Sequence, residues 1–186
     1  MAELTRKELI LALIGAGAHP RLSGIDLSGL ELEGISLAGA DLRGADLSGC
    51  RLHRCSLVDA DLSRANLTET DLSHALLHNA RLHHAILYRT NCSEADLSGC
   101  EADDALLKGA NLVKSSAAEI CLKRANLDGA DCRDADFRGA NFTDARTEGA
   151  LFDNALFTGA VAAPFAGGKS PTPPVKPPTV REARRR

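Results

Sequence analysis

The chain has no tryptophan, one tyrosine and one methionine, and aromatic residues make up only 3% of its 186 positions. A conventional core anchored on large aromatic side chains is thereby excluded. Since 44% of the residues are apolar, any interior must be assembled from Leu and Ala. Long apolar runs are also missing, none approaching the roughly 18 residues that a membrane-spanning helix needs. Six cysteines are present but no C-x-x-C pair, which excludes the usual zinc-binding spacings. Proline is almost absent before residue 164 and frequent after it. The formal net charge of −3 hides a second asymmetry. Lys169, Lys176, Arg181, Arg184, Arg185 and Arg186 face Glu182 alone near the C-terminus, so the rest of the chain is distinctly acidic.

What the sequence does contain is a repeat of period five. From Ile25-Asp26-Leu27-Ser28-Gly29 to Ala155-Leu156-Phe157-Thr158-Gly159 the pattern A-(D/N)-L-x-x runs through 27 units without insertion or deletion. The central position is Leu in 18 units and Phe in four (Phe137, Phe142, Phe152 and Phe157); the position two before it is Ala in 17. No solvated position would show such a bias, so both point inward. An α-helix cannot carry this pattern, because five residues advance a side chain by about 140° net and scatter the leucines around the cylinder. A flat strand cannot either, because an odd period sends successive leucines to opposite faces. The remaining geometry is a solenoid in which two inward residues, two apart, form a short side and the other three turn the chain. Gly at the last position, continuous from Gly24 to Gly49 and again at Gly99, Gly109, Gly129, Gly139, Gly149 and Gly159, suits a corner with positive φ.

These units resemble the pentapeptide-repeat family, whose A-(D/N)-L-x-x motif they match over about three-quarters of the chain. The resemblance implies an all-β solenoid, a right-handed quadrilateral β-helix with four repeats per coil and about seven coils; the period alone leaves three and four sides open. At a strand spacing of about 4.8 Å the rod is expected to be roughly 30 Å long. Residues twenty apart then stack in columns.

Three segments are expected. Residues 1–19 read as an N-terminal capping α-helix, with a capping box at Thr5-Arg6-Lys7-Glu8, the apolar run Leu9–Ile14, and Gly15, Gly17 and Pro20 to end it. A signal peptide is the rival reading of this stretch, disfavoured by its shortness and by Glu3 and Glu8 in the flank. Residues 20–162 form the repeat β-helix. Residues 163–186 read as a disordered, Pro-rich basic tail, with P-x-x-P spacing at Pro171/Pro174 and Pro174/Pro177 and a weak, generic affinity for nucleic acid at most.

No catalytic, cofactor or metal site is expected. Cys50, Cys55 and Cys100 occupy the Ala position and Cys92 and Cys132 the Leu position, where a thiol serves as a small core hydrophobe; only Cys121 falls outward. Reduced thiols suit a cytoplasmic setting. His53, His74, His78, His83 and His84 spread over three faces without converging. Ser63, His83 and Asp103 are spaced by twenty and bring together the residue types of a hydrolase triad, but on a convex wall with no loop to make a cleft or oxyanion hole. The neighbouring column Arg64-His84-Asp104-Arg124-Asp144 suggests that polar ladders simply support the stack.

Two kinds of surface remain. Apolar residues break outward at Ile86 and Leu106, with Tyr88 adjacent, and at Leu151 and Leu156 on the last coil beside inward Phe152 and Phe157. The resemblance to members that dimerise through their C-terminal ends makes that last coil a homodimer candidate; the alternative is that Val161–Phe165 folds back as a cap. Acidic zones lie at Asp26, Glu31, Glu33, Asp41 and Asp46 and at Asp128, Asp131, Asp134 and Asp136. They matter because some pentapeptide-repeat proteins protect DNA gyrase as acidic, duplex-sized rods. Here the acids are interrupted by Arg51, Arg54, Arg64, Arg81, Lys123 and Arg124. The leading expectation is thus a non-enzymatic scaffold for an unidentified protein partner. A DNA mimic acting on gyrase or topoisomerase and an adaptor in a bacterial secretion apparatus are the alternatives.

Overall fold

Every five-residue unit has five backbone N–H groups to satisfy, and the unit 45–49 shows how the fold does it. Ala45 donates to Leu42 O at 3.0 Å and closes a β-turn. Asp46 donates back to Ile25 O at 2.9 Å, while Leu47 and Gly49 donate forward to Asn66 O and Thr68 O at 2.8 and 2.9 Å. The fifth group, the N–H of Ser48, has no backbone partner. It is met by the Asp46 side chain, Oδ1 at 2.9 Å. The preference for Asp or Asn before the central Leu follows from this bond, which recurs from Asp26 to Ser28, Asn91 to Ser93 and Asn141 to Thr143.

The computed structural model describes Thr5, residues 7–10 and residues 19–163. Its β-bridges are all parallel and join residues twenty apart, from Arg21 with Asp41 to Asn141 with Val161. Four bridge positions recur per coil, at 21, 26, 31 and 36, so the solenoid has four walls. The walls are numbered here by those first positions: wall 1 from Arg21, wall 2 from Asp26, wall 3 from Glu31 and wall 4 from Ser36.

Central leucines from Leu27 to Leu127 are buried, most of them completely, with the Ala column packed between them. Towards the C-terminus the filling changes to Phe. Phe137 and Phe142 are fully or almost fully buried with ring centroids 5.2 Å apart, and Phe152 and Phe157 pack on them from the last turn of chain. Polar residues that replace Ala in the interior are satisfied: Thr70 and Thr90 each donate at 2.7 Å to a carbonyl of the preceding coil, Leu47 O and Leu67 O.

The corners depart from expectation. Every third turn residue from 24 to 159 has positive φ, as a type II turn requires, yet sixteen of these residues are not Gly. Nine consecutive corners, Arg54 to Glu94, carry side chains in the left-handed region. Glycine therefore marks corners where it occurs but does not define them. The repeated ladder bonds hold the backbone in place against a local strain of about 1 kcal/mol or more per corner.

Near the N-terminus the capping box is formed. Thr5 N–H donates to Glu8 Oε2 at 2.8 Å and Glu8 N–H to Thr5 Oγ1 at 3.3 Å. Leu9, on the helical turn 7–10, is completely buried with the solenoid core. The remainder of the expected capping segment and residues 164–186 lie outside the described residues. No helix among the described residues is long and apolar enough to cross a membrane.

Candidate interaction surface

Because the inward positions are filled, chemistry is confined to the walls and corners. The Ser63, His83 and Asp103 column does stack, but not as a triad. Nδ1 of His83 lies 3.5 Å from Asp103 Oδ2, and its Nε2 lies 2.9 Å from Glu101 Oε2. With both ring nitrogens turned to carboxylates, none is left to serve Ser63 as a base. The adjoining corner column is a ladder only in part. Arg124 grips Asp104 with Nε at 2.9 Å and Nη2 at 2.6 Å, whereas Arg64 makes no ion pair among the described residues.

Histidines elsewhere do local work. His53 Nδ1 is 2.9 Å from Ser73 Oγ, whose own proton goes to Asp71 Oδ1 at 2.6 Å, so Nδ1 of His53 is the donor. The His53 and His74 rings meet edge-on at 5.2 Å, and His74 faces Glu94 at 3.5 Å. Among the described residues no group of three or more His, Cys, Asp or Glu side chains is placed to hold a metal. Five cysteines are buried and Cys121 is half-buried with its thiol 3.5 Å from Asp103.

The two acidic zones are far less free than their sequence suggests. Five of the nine residues sit in ion pairs: Asp41 with Arg43, Glu31 with Arg51, Asp131 with Arg133, Asp136 with Arg138, and Asp128 with Arg146. Hydrogen bonds from Arg43 hold the Asp41 carboxyl below its ordinary range, and Arg133 and Arg138 do the same for Asp131 and Asp136. Of the others, Asp46 accepts from Ser48 N–H and Asn66, and Asp134 accepts from Asn154. Asp26 caps the N–H of Ser28. The triplets Asp41-Leu42-Arg43, Asp131-Cys132-Arg133 and Asp136-Phe137-Arg138 were the available signal, since residues two apart share one wall.

Five of the seven apolar candidates are exposed and two are half-buried. Leu151 and Leu156 are 47% and 42% accessible on the last coil, next to exposed Val161 and half-buried Phe152 and Phe157. Ile86, Leu106 and Tyr88 are exposed together on wall 2, where a bridge joins Ile86 to Leu106. A shallow depression lies along the corner between walls 1 and 2, lined by Ser23, Arg43, Gly44, Ser63, Arg64, His83 and His84.

Compared with known families, residues 21–57, 55–91, 90–129 and 120–159 match the model for pentapeptide repeats. Among solved structures, the chain is similar to a trypsin-treated variant of QnrB1, a plasmid-mediated fluoroquinolone resistance protein, at 21% identity and a TM-score of 0.68. That match covers 76% of this chain and 77% of that one. A second trypsin-treated QnrB1 variant matches at 18% identity and a TM-score of 0.58, over 76% of this chain and 79% of that one. Rfr23 from the cyanobacterium Cyanothece 51142 matches at 24% identity and a TM-score of 0.38, over 80% of this chain and 99% of that one. Among curated proteins there is no significant match.

Proposed function

The chain belongs to the pentapeptide-repeat family, and on that footing we propose that it is a non-enzymatic scaffold that binds a protein partner through its outer walls. One observation carries the reading: the axis is closed by completely buried Leu and Ala side chains, so whatever the chain recognises meets the outside of the rod. We read the whole as about seven right-handed coils over residues 20–162, capped by the N-terminal segment 1–19 and followed by the basic tail 163–186. Six thiols without a disulfide fit a cytoplasmic location. The test is a pull-down with the full chain, with a variant in which Arg184, Arg185 and Arg186 are Ser, and with wall variants. Capture that survives loss of the tail charges but not wall substitutions supports the scaffold. Capture that depends on the tail alone overturns it.

The exposed last coil supports a homodimer through Leu151, Phe152, Leu156 and Phe157. Light scattering of Leu151→Glu/Leu156→Glu should show a halved mass relative to the wild-type chain; an unchanged mass defeats this interface.

A DNA-mimic protector of gyrase is the second reading, favoured by the fold shared with QnrB1 and weakened by the arginines that occupy five of the nine candidate acids. A supercoiling assay with purified gyrase, with and without a quinolone, decides it. No effect at micromolar protein removes the reading.

A further inference from the structure

Wall 2 changes character midway along the rod. Its bridge column reads Asp26, Asp46, Asn66, then Ile86 and Leu106, then Asn126 and Arg146. At Ile86 and Leu106 the wall gives up the carboxylate or amide that caps the N–H two residues on, and it turns aliphatic surface, 38% and 45% accessible, towards water. Tyr88, the single tyrosine of the chain, stands on the same coil as Ile86 with the Arg89 guanidinium 5.1 Å from its ring centroid.

Cations ring this strip. Arg64 and Lys108 make no ion pair among the described residues, and Arg89 meets Glu69 only at 3.9 Å. Of the acids near the strip, Asp104 is taken up by Arg124 and Asp128 by Arg146. Arg64 and Arg89 hold left-handed φ values of 62° and 53°, as the other corners from Arg54 to Glu94 do; Gly stands on one adjacent coil of each, at Gly44 and Gly109. Exposed aliphatic surface, two cations without an ion pair among the described residues and a third held only loosely thus coincide at one place. Across the corner lies the depression lined by Arg64 and His84 together with Gly44.

We propose that wall 2 around Ile86, Tyr88 and Leu106 docks an acidic segment of a partner protein, a deepening that rests on the scaffold reading. Apolar side chains of the segment cover the Ile86 and Leu106 strip, and its carboxylates meet Arg64, Arg89 and Lys108. An exposed Tyr under Arg beside an apolar strip matches the composition of interface centres. A second copy of this chain fits poorly, because a two-fold contact would set the same cations against each other. Nucleic acid fits poorly as well. A polyanion needs a basic track, whereas this wall carries Asp46 before the strip and Asp128 after it.

The test is fluorescence anisotropy of the full chain with short labelled peptides of alternating Glu and Leu, alternating Glu and Ser, and alternating Lys and Leu, and with a single-stranded oligodeoxynucleotide. The Glu/Leu peptide should bind best. Ile86→Ser/Leu106→Ser and, separately, Arg64→Gly/Lys108→Ser should each weaken it by about tenfold or more while the melting curve stays within a few degrees of wild type. Equal binding of the Glu/Ser or Lys/Leu peptide, tighter binding of the oligonucleotide, no binding of the Glu/Leu peptide, or indifference to both variant pairs overturns the proposal. The pull-down keeps the two claims apart. A wall-dependent partner retained by both variant pairs overturns this docking site and leaves the scaffold standing, whereas capture that depends on the tail alone removes the scaffold whatever the peptides do.

Discussion

Asp136 and Arg138, two residues apart on wall 4, form a closed fork: Nη2 lies 2.6 Å from Oδ2 and Nε 2.9 Å from Oδ1, while the same carboxylate accepts the Arg138 backbone N–H at 3.1 Å. One side chain thereby satisfies a turn and neutralises a cation. The arrangement recurs at Asp41 with Arg43 and at Asp131 with Arg133.

Acid sensitivity follows from these forks. A carboxyl held below its ordinary range binds fewer protons in the folded chain than in the unfolded one. Its contribution is fully present above about pH 4 and is lost as pH falls through the depressed folded-state value. Urea unfolding between neutral pH and pH 3 should show stability level at first and falling in the acid limb. Asp136→Asn, which keeps the cap on the Arg138 N–H but loses the charge, should shrink that fall. An acid limb identical to wild type would show that the fork contributes nothing.

Corner strain is separable from side-chain contact. Gly49→Ala adds a Cβ that meets nothing within 4 Å, so only the left-handed backbone resists it, and a loss of about 1 kcal/mol is expected. Arg54→Gly runs the other way. It relieves φ of 56° at a residue with no ion pair among the described residues and should leave stability unchanged or raise it by up to about 1 kcal/mol. Thermal melts measure both, and a clear destabilisation by Arg54→Gly would sink the account.

The thiols should divide into two groups. Burial pushes Cys50 up to about 11 and Cys55, Cys92 and Cys100 up to about 12, and raises Cys132 as well. Cys121 is raised by the same cause but is only half-buried. Timed alkylation of the native chain at pH 8, read by mass spectrometry, should modify Cys121 first and the other five only after denaturation. Early modification of Cys92 or Cys132 would contradict the closed interior.

Aromatic filling at the C-terminal end should be indispensable. Phe137 is completely buried and touches the rings of Phe142, Phe152 and Phe157. Phe137→Ala is expected to cost about 3–5 kcal/mol, and Phe137→Leu, nearer in volume, distinctly less. Denaturant unfolding monitored by circular dichroism distinguishes them; equal small losses would mean that the last coils are loosely packed.

The inward direction of Leu27 to Leu127, five of the six thiols as core residues and the Thr5 to Glu8 capping box were all legible in the sequence. Each depends on an interaction whose partners recur at fixed short spacing or on burial that composition betrays. Which of the acids are paired was not legible, because whether Asp136 faces water or Arg138 depends on side-chain direction on a turned strand. The same holds for His83, whose neighbour twenty residues away mattered less than Glu101, eighteen away.

Periodicity by itself determined that this chain is a solenoid, because only a closed path returns every fifth side chain to a common axis. Tertiary structure decided that the path has four sides: the offset of twenty is set by which coil hydrogen-bonds to which, and a repeat of five is equally compatible with fifteen. It also decided which charges are spent, since pairing across coils exists only once the coils are stacked.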